Sequence, residues 1–166
     1  MKDPRFAETV ILLVEYSRQG AVGLVINRTT GVRLSEVLPD IGKLKQRMDI
    51  VYFGGPVNTG QMFMLIRSVY KPEESIHIFK DIYASSSRKL LQKMIDNSAA
   101  GERFKIYAGY SGWAPQQLDM EVSRGDWHVL QADMASIFDK EPPEIWPELI
   151  RRVSAQWVMS TIRLSD

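Results

Sequence analysis

The sequence predicts an α+β fold, a mixed sheet with helices packed on it, and three observations carry that prediction. Short aliphatic and β-branched runs at residues 9–15, 21–27, 50–53, 61–69, 75–79 and 104–108 read as strands. Helical spacing of apolar residues appears among them and after them, but without the regular strand–helix alternation of a doubly wound parallel sheet. The chain has 166 residues, 45% apolar and 25% charged, enough for one core and too balanced for a disordered segment. A single domain over residues 1–166 follows.

Residues 9–15 and 21–27 flank the polar segment Tyr16-Ser17-Arg18-Gln19-Gly20 and predict a hairpin. Their near-continuous hydrophobicity places both strands at the centre of the sheet, buried on both faces. Leu34 to Leu38 is a short helical stretch ended by Pro39, because proline disfavours helical geometry in the residue before it. Ile50 to Phe53 then runs into a first Gly-rich turn, Gly54-Gly55-Pro56. The strands at 61–69 and 75–79 are joined through Lys71-Pro72-Glu73-Glu74.

Ser85-Ser86-Ser87 supplies an N-cap for a helix whose apolar face is Leu90, Leu91, Met94 and Ile95, with Gly101 at its end. Phe104 to Ala108 reads as a strand entering a second Gly-rich turn, Gly109-Tyr110-Ser111-Gly112-Trp113. Beyond it, Pro115 to Val122 is helical, Trp127 to Leu130 a short strand and Ala132 to Phe138 helical. Ile145, Trp146, Leu149, Ile150 and Val153 mark a last helix, with Pro147 expected in its first turn, where a missing N–H costs nothing.

Twenty-one basic residues against twenty acidic ones leave a formal charge of +1, so no broad field draws in nucleic acid. The basic pairs Arg88-Lys89 and Arg151-Arg152 sit on helices with core-facing stripes and without helix-turn-helix punctuation, which disfavours direct DNA binding. The absence of cysteine removes disulfides and thiolate chemistry together. A charged N-terminus without an apolar signal region, and apolar runs too short to cross a bilayer, predict a cytoplasmic protein with no membrane association.

The two Gly-rich turns are the candidate ligand-binding elements, through Gly54, Gly55, Pro56, Gly109, Ser111, Gly112 and Trp113. Exposed amides in such turns can form a nest for a phosphate or carboxylate, while the plainer role of paired glycines is the turn itself. Gly109-x-Ser111 invites comparison with a nucleophile elbow, but Trp113 stands where that motif requires glycine. No Lys-Ser or Lys-Thr follows Gly54-Gly55-Pro56, which excludes a Walker P-loop. His77 and His128 lie on different predicted strands with no ligand spacing, so no metal, cofactor or catalytic residue is assigned.

In order along the chain, several stretches resemble the AlgH/YqgE family of small bacterial proteins. They are Asp3-Pro4-Arg5-Phe6, Gly20 to Arg28, Val51 to Val57, and Gly109 to Trp113 followed by Gln117-Leu118, Glu121 and Trp127, with Phe138 and the Trp146 helix completing the set. The resemblance implies a bifurcated, mostly antiparallel sheet rolled into a pseudo-barrel. It also implies a further apolar strand ahead of Asp3, where only Met1 and Lys2 stand. Tyr16 and Ile66 occupy places where the family carries histidines, Thr29 replaces a proline, and Gln116 replaces a glycine.

The family is linked by name to transcriptional regulation and brings no established catalytic mechanism. The expectation is therefore a non-catalytic binding or regulatory protein that influences transcription indirectly and recognises a protein partner or a small anionic ligand. The alternative is an enzyme acting on a phosphorylated or acyl substrate near Ser111.

Overall fold

The computed structural model describes residues 4–97 and 102–163. In chain order its elements are β1 (Ile11–Ser17), β2 (Gly20–Val25), β3 (Thr29–Arg33), α1 (Leu34–Val37), β4 (Ile50–Phe53), β5 (Val57–Arg67), β6 (Ile76–Phe79) and β7 (Ile82–Ser85). These are followed by α2 (Arg88–Asp96), β8 (Arg103–Trp113), α3 (Gln117–Ser123), a π-helical turn at Ala135–Asp139 and α4 (Pro142–Arg163). The predicted class holds: this is a single α+β domain with its sheet nearly closed into a barrel.

The strands run in the order β1-β2-β8-β5-β7-β6, while β4 lies parallel to β8 and takes β3 on its other side. Every other pair is antiparallel. The bifurcation belongs to β8. Its residues 106–108 pair with β4 and its residues 111–113 pair with β2, while β5 follows it from Arg103 to Tyr110.

Two cores lie on opposite faces of this sheet. Met64, Ile66 and Ile106 pack with Leu34, Leu38, Leu90, Leu91, Met94 and Ile95. Leu65 and Tyr107, pointing the other way, pack with Leu24, Ile26, Ile137, Phe138 and Ile145. Alternate residues of β5 and β8 thus reach different cores, which is why Met62 to Ile66 of β5 reads as a continuous apolar run. The α2 face is as predicted, and Ser87 caps it by accepting the Leu90 N–H at 3.1 Å.

Several expectations need correction. β1 is an edge strand with only Leu12 fully buried, so the first hairpin is central only through β2. Gly109 to Trp113 is the second half of β8, with Gly109 bending the strand at φ +69°, and not a turn. Trp127 to Leu130 forms no strand. The helix after Ala132 is a π turn at Ala135–Asp139, and Pro147 lies beyond the first turn of α4, which begins at Pro142. β3 and β7 are additional strands. The expected stop at Gly101 lies outside the described residues. Among the described residues, no helix is long and apolar enough to cross a membrane.

Candidate functional site

The structure brings the two Gly-rich segments together, backbone against backbone. Gly54 donates its N–H to Ala108 O and accepts from Val25 N, both at 2.9 Å, so it wedges between β2 and β8 where the sheet forks. A β-carbon added at Gly54 would stand 2.2 Å from the Gly109 carbonyl oxygen, and one at Gly55 would stand 2.2 Å from the Tyr110 carbonyl carbon. One at Gly109 would meet Gly55 O at 2.5 Å. Only glycine allows these strands to cross so closely. Pro56 follows, half-buried, and leads into β5.

Ser111 is 1% exposed, and its hydroxyl points to Gly54 O at 3.5 Å. A nucleophile needs a path for its substrate, and this hydroxyl lies inside the fork. Gly112 pairs with Val22 and is exposed. Trp113, at the end of β8, is where the strand leaves the fork and reaches a different feature.

That feature is a cleft of about 560 Å³ lined by Phe6, Trp113, Leu118, Trp127, Trp146 and Leu149 among others. Its volume and apolar lining match those of small-molecule and peptide sites. Of the seven candidate residues, Trp113 lines it and the other six do not. The Trp113 and Trp127 rings meet edge to face at 6.1 Å, and Phe6 stacks the same way on Trp127 at 5.8 Å.

One carboxylate holds this aromatic row in place. Glu121 Oε2 accepts the indole N–H of Trp113 at 2.9 Å and that of Trp127 at 2.8 Å, while Oε1 accepts from Gln117 Nε2 at 3.0 Å. Gln117 in turn accepts the Ala114 N–H through its own side-chain oxygen at 3.0 Å, which ties α3 to the end of β8. Burial pushes the Glu121 carboxyl upward, but the bonds from Trp127, Gln117 and Trp113, together with Arg124, outweigh it and leave it below its ordinary value. The carboxylate is therefore ionised at neutral pH and acts as a clasp.

The opposite wall rests on the π turn. Asp133 accepts both the Ser136 N–H and its hydroxyl at 2.9 Å, and Arg152 of α4 closes on the same carboxylate at 2.9 Å. Ser136, Ile137 and Val153 thereby reach the cleft together. His128 lies on its lining, whereas His77 is distant in role, its Nε2 bonded to Lys80 O at 2.7 Å and its ring against Tyr83. Among the described residues no group of three His, Asp or Glu side chains is placed to hold a metal.

The sequence reading missed the cleft but contained its parts. Gln117 and Glu121 are four residues apart on a helix, hence on one face, and the indoles of Trp113 and Trp127 need acceptors if half-buried. That spacing was the available signal.

A forked α+β barrel with a tryptophan-lined cleft clasped by one carboxylate is the class of protein so defined. The chain belongs to the AlgH-like family, whose model matches residues 1–158. A UPF0301 protein of Azoarcus sp. is 38% identical over 149 residues, covering 87% of this chain and 78% of the relative. A UPF0301 protein of Methylococcus capsulatus is 35% identical over 149 residues, covering 88% and 81%. The solution structure of the AlgH protein from Pseudomonas aeruginosa is similar at TM-score 0.72 and 36% identity, covering 94% of this chain and 80% of that one. A crystal structure from Corynebacterium diphtheriae has the same TM-score, 0.72, at 22% identity over 92% of this chain and 81% of that one, a likeness of fold alone.

Proposed function

We propose that this chain is a non-catalytic binding protein, that its site is the tryptophan cleft, and that its influence on transcription runs through the bound partner and not through DNA. The cleft is the observation that carries this reading: about 560 Å³, apolar, and walled by three indoles, two of them held in fixed orientation by Glu121. Aromatic side chains supply large contact area at little entropic cost, which suits recognition. The glycine fork serves the site by aiming Trp113 into it. The buried position of Ser111 supports a binding role over acyl or phosphoryl chemistry.

Three of the four basic residues considered for DNA also support it. Arg88 pairs with Asp40, Lys89 with Glu74, and Arg152 with Asp133 and Glu148. Their charge is met within the molecule and not offered to phosphates.

Anilinonaphthalene sulfonate, an anionic dye whose aromatic rings fluoresce in apolar sites, tests the cleft directly. It should bind the folded chain with quenching of indole emission, and Trp127→Ala should weaken that binding at least tenfold while the far-ultraviolet circular dichroism stays unchanged. Dye affinity indifferent to Trp127→Ala would place the binding surface elsewhere and end this reading.

A further inference from the structure

Lys105 is held unlike the paired lysines of this chain. Lys43 meets Asp96, Lys89 meets Glu74, Lys93 meets Glu73 and Lys140 meets Glu148. Lys105, half-buried on β8, makes no ion pair or hydrogen bond among the described residues. Its ammonium lies instead over two rings, 4.8 Å from the centroid of Tyr52 on β4 and 5.9 Å from that of Phe138 in the π turn. None of these three residues lines the tryptophan cleft.

The charges around Lys105 are committed to one another. Arg103, two residues earlier and so on the same face of β8, gives its guanidinium to Asp139 at 2.6 Å and also lies over Phe138, 5.6 Å from the ring centroid. Arg67, opposite Arg103 on β5, holds Asp81 at 3.2 Å. The Tyr52 hydroxyl is pushed up by burial and then by Glu141, and stays neutral. Glu141 and Asp139 favour the charged amine, but burial against the rings and then Arg103 outweigh them, so Lys105 gives up its proton more readily than an ordinary lysine. Desolvation beside a second cation is the arrangement that makes a lysine nucleophilic.

We propose that Lys105 is a covalent capture site for a small uncharged aldehyde or ketone, which it holds as a protonated imine over Tyr52 and Phe138. The free amine adds through Nζ to the carbonyl carbon, the C=O π pair passes to oxygen, and that oxygen leaves as water carrying two of the three original ammonium protons. One ammonium and one carbonyl become one iminium and one water, with the charge unchanged. Retained charge selects this chemistry. The ring faces that hold the ammonium also hold an iminium, whereas acylation yields a neutral amide and gives up both cation–π contacts. The ligand is uncharged because Asp139 and Asp81 already occupy the guanidinium groups that an anionic substituent would need. Capture requires no turnover and no part of the cleft, so it goes beyond the binding reading without depending on it.

Propanal with cyanoborohydride, which reduces the iminium to a stable secondary amine, followed by peptide mass spectrometry, reads the site in the intact chain. At pH 7 Lys105 should be alkylated at least about fivefold faster than Lys89, whose side chain is 81% exposed, and than the exposed Lys71. That advantage should vanish by about pH 11, where every lysine amine is free. Glu141→Gln, at an exposed position whose side chain makes no bond among the described residues, removes a group that favours the ammonium and should raise the Lys105 rate at pH 7 about twofold, a change that packing alone would not produce. The proposal falls if Lys105 reacts no faster than Lys89 at pH 7, since the rings then shield the amine. It falls equally if Glu141→Gln leaves the rate unchanged, since the charges around the amine then do not set its reactivity. Loss of dye binding at Trp127→Ala bears only on the earlier reading, so the two fail separately.

Discussion

The glycine fork and the tryptophan cleft are neighbours along β8, and they are built on opposite principles. At the fork, Gly54, Gly55 and Gly109 bring main chains so close that no β-carbon fits, and nothing but protein can occupy the space. At the cleft, four residues beyond Gly109, Trp113 joins Trp127 around Glu121 and leaves about 560 Å³ open. Gly-rich motifs draw the eye as binding elements, but here they set the path of the sheet, and recognition falls to side chains that the bent strand delivers. The comparison turns on backbone tolerance at one place and on side-chain chemistry at the other.

The largest expected effect breaks the fork. Gly54→Ala sets a methyl group 2.2 Å from the Gly109 carbonyl, which cannot move without separating strands, and 3.1 Å from Leu24 and Tyr107 side-chain atoms. A loss of at least about 3 kcal/mol in urea unfolding is expected, at the upper end for a single substitution. Gly60→Ala, where nothing lies within 4 Å, should stay within about 1 kcal/mol of the parent. Equal midpoints for the two variants would mean that the fork is looser than its contacts require.

Glu121→Ala addresses the cleft instead. Two indole N–H groups and the Gln117 amide lose their acceptor, an expected cost of about 1–2 kcal/mol, with indole emission shifting as the row loosens. The carboxyl is held below its ordinary value in the folded chain, so the stability it contributes is present above about pH 4.5 and is lost as pH falls through the folded value. An acid titration of indole emission in the parent should therefore show a transition below pH 4.5 that Glu121→Ala lacks. If both traces coincide, the clasp does not titrate as assigned.

What the sequence reveals of these two regions follows from how each is encoded. β2, β4, β5, α1 and α2 declare themselves because burial on one or two faces leaves a clear apolar pattern, and β6 through its apolar residues although none is fully buried. β3 does not, since all five of its residues are exposed, and the four residues of β7 run straight into the serines that cap α2. Gly109 and Gly112 imitate a turn because the residues that allow a chain to reverse also allow a strand to bend beside another. β1 imitates a central strand because its outer side chains line the cleft. The individual cleft residues stand out as a signature, but their convergence on Glu121 depends on a bend at Gly109 that only coordinates display.

Tyr107 sharpens the contrast from the fork side. Its ring is fully buried beside Gly54, and its hydroxyl has no hydrogen-bond partner among the described residues. Burial, with the nearby Tyr52 as a lesser cause, pushes that hydroxyl well above its ordinary value and keeps it neutral. Tyr107→Phe removes a desolvated, unpaired group with little change of shape, and should raise stability by about 1 kcal/mol. A decrease in the unfolding midpoint would reveal a buried water or partner serving that hydroxyl.

The smallest effect separates backbone strain from recognition within the cleft wall itself. Gln116, the residue before α3, adopts φ +64° and ψ −6°, a left-handed conformation that costs a side-chain-bearing residue about 1 kcal/mol. Gln116→Gly relieves that strain but frees the unfolded chain, so a net gain of about 0.5 kcal/mol is expected. The substituted side chain makes no bond to Glu121, whose partners are Trp113, Trp127 and Gln117. Dye affinity should therefore remain that of the parent while the unfolding midpoint rises. If affinity changes along with stability, the position of α3 and the clasp of the cleft are coupled through this residue, and the division between a backbone-determined fork and a side-chain-determined cleft is less sharp than the geometry implies.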